Sequence, residues 1–165
     1  MGKMLREDAR FAKLIDLVRL RCGAFGGQAI GNVLNGLAAL HADLGVTSVD
    51  VRLAKQLVEV VERVAHKMKP QEVANTLNAL SKLEAAVSAM SPAGWGAMAR
   101  AAERTAPTMN AQEVANALNA LSKLEAAAGA MSPLGWSAMA RAVERTAPTM
   151  NEQNVGNTLN ALALA

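Results

Sequence analysis

Residues 71–111 read QEVANTLNALSKLEAAVSAMSPAGWGAMARAAERTAPTMNA, and residues 112–152 read QEVANALNALSKLEAAAGAMSPLGWSAMARAVERTAPTMNE. The two blocks agree at 34 of 41 positions without a gap, and a third begins at Gln153. Repetition at this length on a helical pattern predicts an all-α fold. It is an α-solenoid of stacked helix pairs with a 41-residue repeat, in the manner of HEAT, armadillo or octotricopeptide-like superhelices. Each unit then buries its apolar face against its neighbours, and there is no single central core.

Composition agrees. The chain is 52% hydrophobic but 2% aromatic with no Tyr, so Ala, Leu, Val and Met do the packing, and Ala, Leu and Met are strong helix formers. The net charge of +3 is unevenly spread. Residues 1–69 hold 11 basic and 7 acidic side chains, and residues 70–165 hold 6 and 7. The near-identical repeats are therefore neutral, and the sequence pI of 9.4 is no argument for nucleic acid. A single Cys22 excludes an internal disulfide or a cysteine-based metal site and favours an intracellular setting. No apolar run reaches the roughly 18–20 residues that cross a bilayer, so no membrane partner is expected. The basic N-terminus is interrupted by Glu7, Asp8 and Asp16. It is read as a structured half-repeat, because a transit peptide is poor in acids.

Within a unit, helix A begins near Pro70 with Val73, Leu77 and Leu80 on one face and Leu83 flanking them, and the next unit repeats this as Val114, Leu118, Leu121 and Leu124. Asn110 with Glu113 forms a capping-box start, and Asn151 stands one period on. The Ala-rich stretches 85–90 and 126–131 predict that helix A runs long. Helix B starts at Ser91-Pro92 and Ser132-Pro133 and ends before Pro107 and Pro148. Its buried face is expected to hold Trp95, Met98, Ala99 and Ala102, then Trp136, Met139, Ala140 and Val143.

The frame extends backwards with drift. Gln28, Asn32 and Asn35 align with Gln71, Asn75 and Asn78, two extra residues fall between Asp43 and Asp50, and Ala54 stands for the tryptophan. Leu5 to Arg21 reads as a lone helix B. One array spans 1–165: a half-repeat 1–26, repeats 27–69, 70–110 and 111–151, and a partial repeat 152–165. The last helix would expose an apolar face, which predicts a longer array or end-to-end self-association.

One stripe is not required by packing. Opposite the apolar face of helix A, the helical wheel aligns Gln71, Asn75, Asn78 and Lys82. The pattern recurs as Gln112, Asn116, Asn119 and Lys123, as Gln28, Asn32 and Asn35, and as Gln153, Asn157 and Asn160. Asn costs about half a kcal/mol or more relative to Ala in a helix, so a merely solvated face would favour other residues. Amides donate and accept. They can read base edges of single-stranded RNA with Lys82 or Lys123 on phosphate, grip the backbone of an extended peptide, or hydrogen-bond between repeats and hold the stack in register.

Other candidates are weaker. Arg100 with Arg104, and Arg141 with Arg145, read as an outer basic face partnered by Glu103 or Glu144. His41 and His66 are isolated, so no metal and no cofactor is expected. No nucleophile–base set or phosphate loop is present, which points away from an enzyme.

The run 71–83, QEVANTLNALSKL, repeated at 112–124, resembles the octotricopeptide-like and RAP-associated helical repeats of green-algal and plant organelle RNA-processing proteins, with FAST-kinase-like proteins as distant relatives. It also looks like the Ser-Lys-Trp-Pro repeats of plant-pathogen secreted effectors, with Leu83 and Leu124 in place of the tryptophan. The first resemblance covers most of the chain. It implies an α-solenoid binding single-stranded organellar RNA, in chloroplast or mitochondrion, through the helix A amides and lysines named above.

Overall fold

A computed structural model describes residues 8–44 and 49–164. Ten α-helices follow one another: α1 (Ala9–Arg21), α2 (Gly27–Leu44), α3 (Val51–Val64), α4 (Pro70–Leu80), α5 (Glu84–Ala89), α6 (Pro92–Thr105), α7 (Ala111–Leu121), α8 (Glu125–Gly129), α9 (Pro133–Thr146) and α10 (Glu152–Leu164). No strand occurs among the described residues. Helices α2, α4, α7 and α10 are the A helices and pack side by side in one row. Helices α1, α3, α6 and α9 are the B helices, and each of the last three packs on the 3₁₀ turn that ends the B helix before it. The chain is an α-solenoid.

The ends of the helices follow from local chemistry. At α7, Asn110 Oδ1 accepts from the Glu113 N–H at 2.9 Å while Glu113 accepts from the Asn110 N–H at 2.8 Å. Asn151 and Asn154 form the same reciprocal pair at α10. At α4, Lys69 cannot accept, so Glu72 supplies half of the box and Pro70 fills the first turn. The B helices start on Ser91 and Ser132, whose hydroxyls accept from Gly94 and Gly135. They end at Thr105 and Thr146, and Pro107 and Pro148 lie inside the following 3₁₀ turns.

Helix A does not run long in the two near-identical repeats. The Ser81 hydroxyl donates to the Asn78 carbonyl at 2.9 Å, Ser122 does the same to Asn119, and Leu83 and Leu124 leave helical geometry to become buried. The Ala-rich stretches therefore form the separate short helices α5 and α8, which pack on α3 and α6. Burial of one leucine overrides the helix propensity of the alanines around it. In the first unit α2 does continue, over 18 residues. The loop with two extra residues and the segment before Asp8 fall largely outside the described residues.

The apolar stripe of helix A is buried as expected, but the buried arc is wider. Ala74, Thr76 and Ala79 join Val73, Leu77 and Leu80, because α4 has an A helix on each side as well as B helices beneath. Small residues allow that approach: a Cβ on Gly31 of α2 would stand 3.4 Å from Thr76 Oγ1 of α4. The A helices meet over most of their length, whereas short helices intervene in the B row, so the A row lies on the inner side of the curve. Thr76 Oγ1 is buried without a hydrogen-bond partner, and the same position in the next unit is Ala117. Thr76→Ala is accordingly expected to leave stability unchanged or raise it by up to about 1 kcal/mol in urea unfolding, since the orphaned hydroxyl is removed.

Two residues lock each repeat to both neighbours. Arg104 Nη2 donates to the carbonyls of Ala65 and Met68 at 3.1 and 2.9 Å, and Arg145 Nη2 donates to Ala106 and Met109 at 3.1 and 2.8 Å. Arg63 reaches Phe25 in the same way at 3.3 Å. The glutamate before each arginine faces forward. Ser91 Oγ donates to Glu62 at 2.9 Å, and the Ser132 N–H donates to Glu103 at 2.6 Å. In the first unit the charges are exchanged: Arg19 pairs with Asp50, the N-cap of α3, at 2.7 Å. The expectation of an outer basic face partnered by Glu103 or Glu144 is corrected for Arg104 and Arg145. Their partners are backbone carbonyls of the preceding unit, to which a guanidinium fork is well matched.

Candidate functional site

On α4 the residues that packing leaves uncovered are those of the stripe. Gln71 is exposed and Asn75 and Asn78 are half-buried, and Gln112, Asn116 and Asn119 of α7 match them one for one. On α2, Gln28 and Asn32 are exposed and Asn35 is half-buried; on α10, Gln153 and Asn160 are exposed and Asn157 is half-buried. Because these four helices are consecutive members of the inner row, the amides form a ladder with one rung per repeat. Among the described residues, none of the side-chain amides on this stripe is hydrogen-bonded to protein, so the reading in which they tie repeats together is corrected. The register of the stack is held instead by Arg104, Arg145 and the glutamates beside them.

Lys82 and Lys123 need a second correction. Both are exposed, but each lies in the turn after its helix, past Leu80 and Leu121, so the wheel that aligned them with the amides does not extend to them. They flank the ladder at the carboxyl ends of α4 and α7. The row itself is uncharged at its centre. Glu72 and Glu113 are engaged in capping, and Arg100 and Arg141 are exposed on the B helices.

Trp95 is buried at 5% exposure with Met98, Ala99 and Ala102, as expected for core. Trp136 is 36% exposed, Ala140 is exposed and Val143 is half-buried, which corrects the expectation for the second B helix. The cause is positional. Helix α6 is covered by α8 and α9, and α9 has no equivalent cover among the described residues. Trp136 instead lines an apolar cavity of about 450 Å³ together with Leu118, Leu121, Ala128, Ala161 and Leu162. Sequence reasoning missed this cavity, although the prediction of an open apolar end pointed to its neighbourhood.

A second groove, of about 480 Å³, lies at the other end between Asp16, Arg19, Asp50, Arg52 and Gln56. At the start of α1, Arg10 donates to Asp8 at 2.7 Å and holds that carboxyl below its ordinary value, a local capping arrangement. His41 and His66 are exposed, and no cluster of three metal-ligating side chains occurs among the described residues. No helix of the described residues is long and apolar enough to cross a membrane.

The fold and the ladder together define an α-solenoid with a polar, uncharged inner row. Residues 51–77, 97–118 and 138–159 match a family model described as a protein of unknown function (DUF1601), so the chain is similar to that family at three places. Each match starts at or within a B helix and ends in the next A helix. It thereby takes in the Glu–Arg dipeptides 62–63, 103–104 and 144–145 and the amides Asn75, Asn116 and Asn157. No curated protein and no solved structure matches the chain.

Proposed function

We propose that this chain binds single-stranded RNA without chemistry of its own, laying the strand along the A helices. The observation that carries the reading is the ladder of uncovered, unbonded amides on four consecutive helices, at positions where Asn lowers helix stability. Amides supply both donor and acceptor to base edges, and Lys82 and Lys123 flank the ladder as phosphate partners. The resemblance to organelle RNA-processing repeats supports the same reading and places the work in transcript processing, stability or translation, in chloroplast or mitochondrion. Units this alike favour a uniform surface of low sequence selectivity.

Anisotropy titration of labelled single-stranded RNA at several salt concentrations tests it. With two lysines on phosphate, log affinity falls with log salt at a slope of about −1.4, and Lys82→Ala makes that slope shallower by about 0.7. Replacing Asn75, Asn78, Asn116 and Asn119 together by Ala lowers affinity at least about tenfold. The same change raises stability by up to about 2 kcal/mol, since Ala is the better helix former. Absence of saturable binding at low salt rejects the proposal.

The neutrality of the row favours a second reading, a protein-interaction scaffold that holds an extended peptide by its backbone. Amides serve a peptide as well as a base, and no phosphate needs neutralising. Binding that is indifferent to salt and competed by an extended peptide selects this reading.

A further inference from the structure

The cavity beside Trp136 repeats a place that is filled one unit earlier. There, Trp95 lies on α6, against which the next unit packs its short helix α8 and its B helix α9, with Leu124 and Ala127 buried in the junction. At the far end the same residue types stand open. Trp136 is uncovered, Leu159 and Leu162 are 60% and 66% exposed, and their equivalents Leu118 and Leu121 are buried. Glu144 is exposed, whereas its equivalents Glu62 and Glu103 each bond to the first turn of the B helix that follows.

The opposite end of the array supplies the complement. Helix α1 is a B helix with Leu14, Leu17 and Leu20 exposed at three-residue spacing, where Leu57 and Val60 of α3 are buried. Leu20 is 81% exposed and occupies the position at which later B helices carry their backward-reaching arginine. The first turn of α1 presents Arg10, whose side chain is 91% exposed, where an incoming glutamate would arrive. Residues 8–24 hold four basic and two acidic side chains, and residues 125–164 hold two and three, so the two ends differ in sign, +2 against −1. The described array runs from a B helix to an A helix, so stacking one copy behind another continues the alternation of helices in phase.

We propose that the face formed by Trp136, Leu159 and Leu162 docks helix α1 of a second copy. The leucine edge of α1 enters the cavity, and Glu144 meets Arg10 of that copy. The contact joins two different surfaces, so it does not close on itself at two copies and adds further copies in line. It extends the inner row, and it stands whether the ligand of that row is RNA or peptide.

Sedimentation velocity over a wide concentration range tests the proposal. The unmodified chain shows a mass that rises with concentration beyond two copies. Leu162→Glu and Leu20→Glu each leave a monomer with unchanged helicity, because both side chains are exposed. An equimolar mixture of the two variants forms a one-to-one dimer that grows no further, since each lends the other its intact face. A chain that stays monomeric throughout overturns the proposal. So does association that survives either substitution, association that stops at two copies and needs only Leu162, or a mixture of the variants that stays monomeric.

Discussion

Trp95→Ala costs about 3–5 kcal/mol of stability, and Trp136→Ala, in nearly the same local sequence, costs about 1–2 kcal/mol. The difference arises from burial. Trp95 sits at 5% exposure under α8 and α9, whereas Trp136 is 36% exposed and borders a cavity. With a urea slope near 2 kcal/mol/M, the first substitution lowers the unfolding midpoint by about 2 M and the second by well under 1 M. Dilute protein is the condition to use, because any cover laid over Trp136 by a second copy raises the cost of its removal. Equal losses for the two residues at low concentration would contradict the open face described for α9.

Arg104→Ala costs about 1.5–2.5 kcal/mol, while Arg100→Ala, one turn earlier on the same helix, changes stability by less than about 0.5 kcal/mol. Charge is removed in both cases, so net charge cannot account for the contrast. Arg104 leaves the carbonyls of Ala65 and Met68 without their guanidinium donor, at the carboxyl end of the preceding B helix where a cation is also favoured. Arg145→Ala matches Arg104→Ala, and Arg63→Ala is milder, since Arg63 makes a single bond at 3.3 Å. Chemical unfolding of the four variants orders them, and a loss at Arg100 as large as at Arg104 would refute the inter-repeat role.

The parts of this fold that are legible in the sequence are those decided within one turn of helix. Asn110 with Glu113 and Ser132 with Pro133 announce helix starts because their partners lie three residues away. The amide stripe is legible on the same ground, and it ends where the helix ends. Lys82 lay beyond that limit because a serine hydroxyl and a buried leucine break the helix at Ser81–Leu83, a tertiary effect inside an Ala-rich context. Trp136 was misplaced because exposure depends on how many units stack upon it, which its neighbours in sequence do not record. The bonds of Glu103 and Arg104 span 29 to 39 residues and end on backbone atoms or a cap. The available signal was the return of both charges at the repeat period.

The backward arginine and the forward glutamate bear on how such an array changes length. The arginine addresses main-chain oxygens, which every block offers whatever its side chains, and the glutamate addresses the start of a helix. A 41-residue block copied in tandem brings one half of each junction and accepts the other half from the block beside it. Unequal crossing-over can therefore lengthen or shorten the gene by whole blocks without inventing a new interface. Each added block brings another Gln-Asn-Asn rung, so ligand length becomes a heritable variable that changes in integer steps.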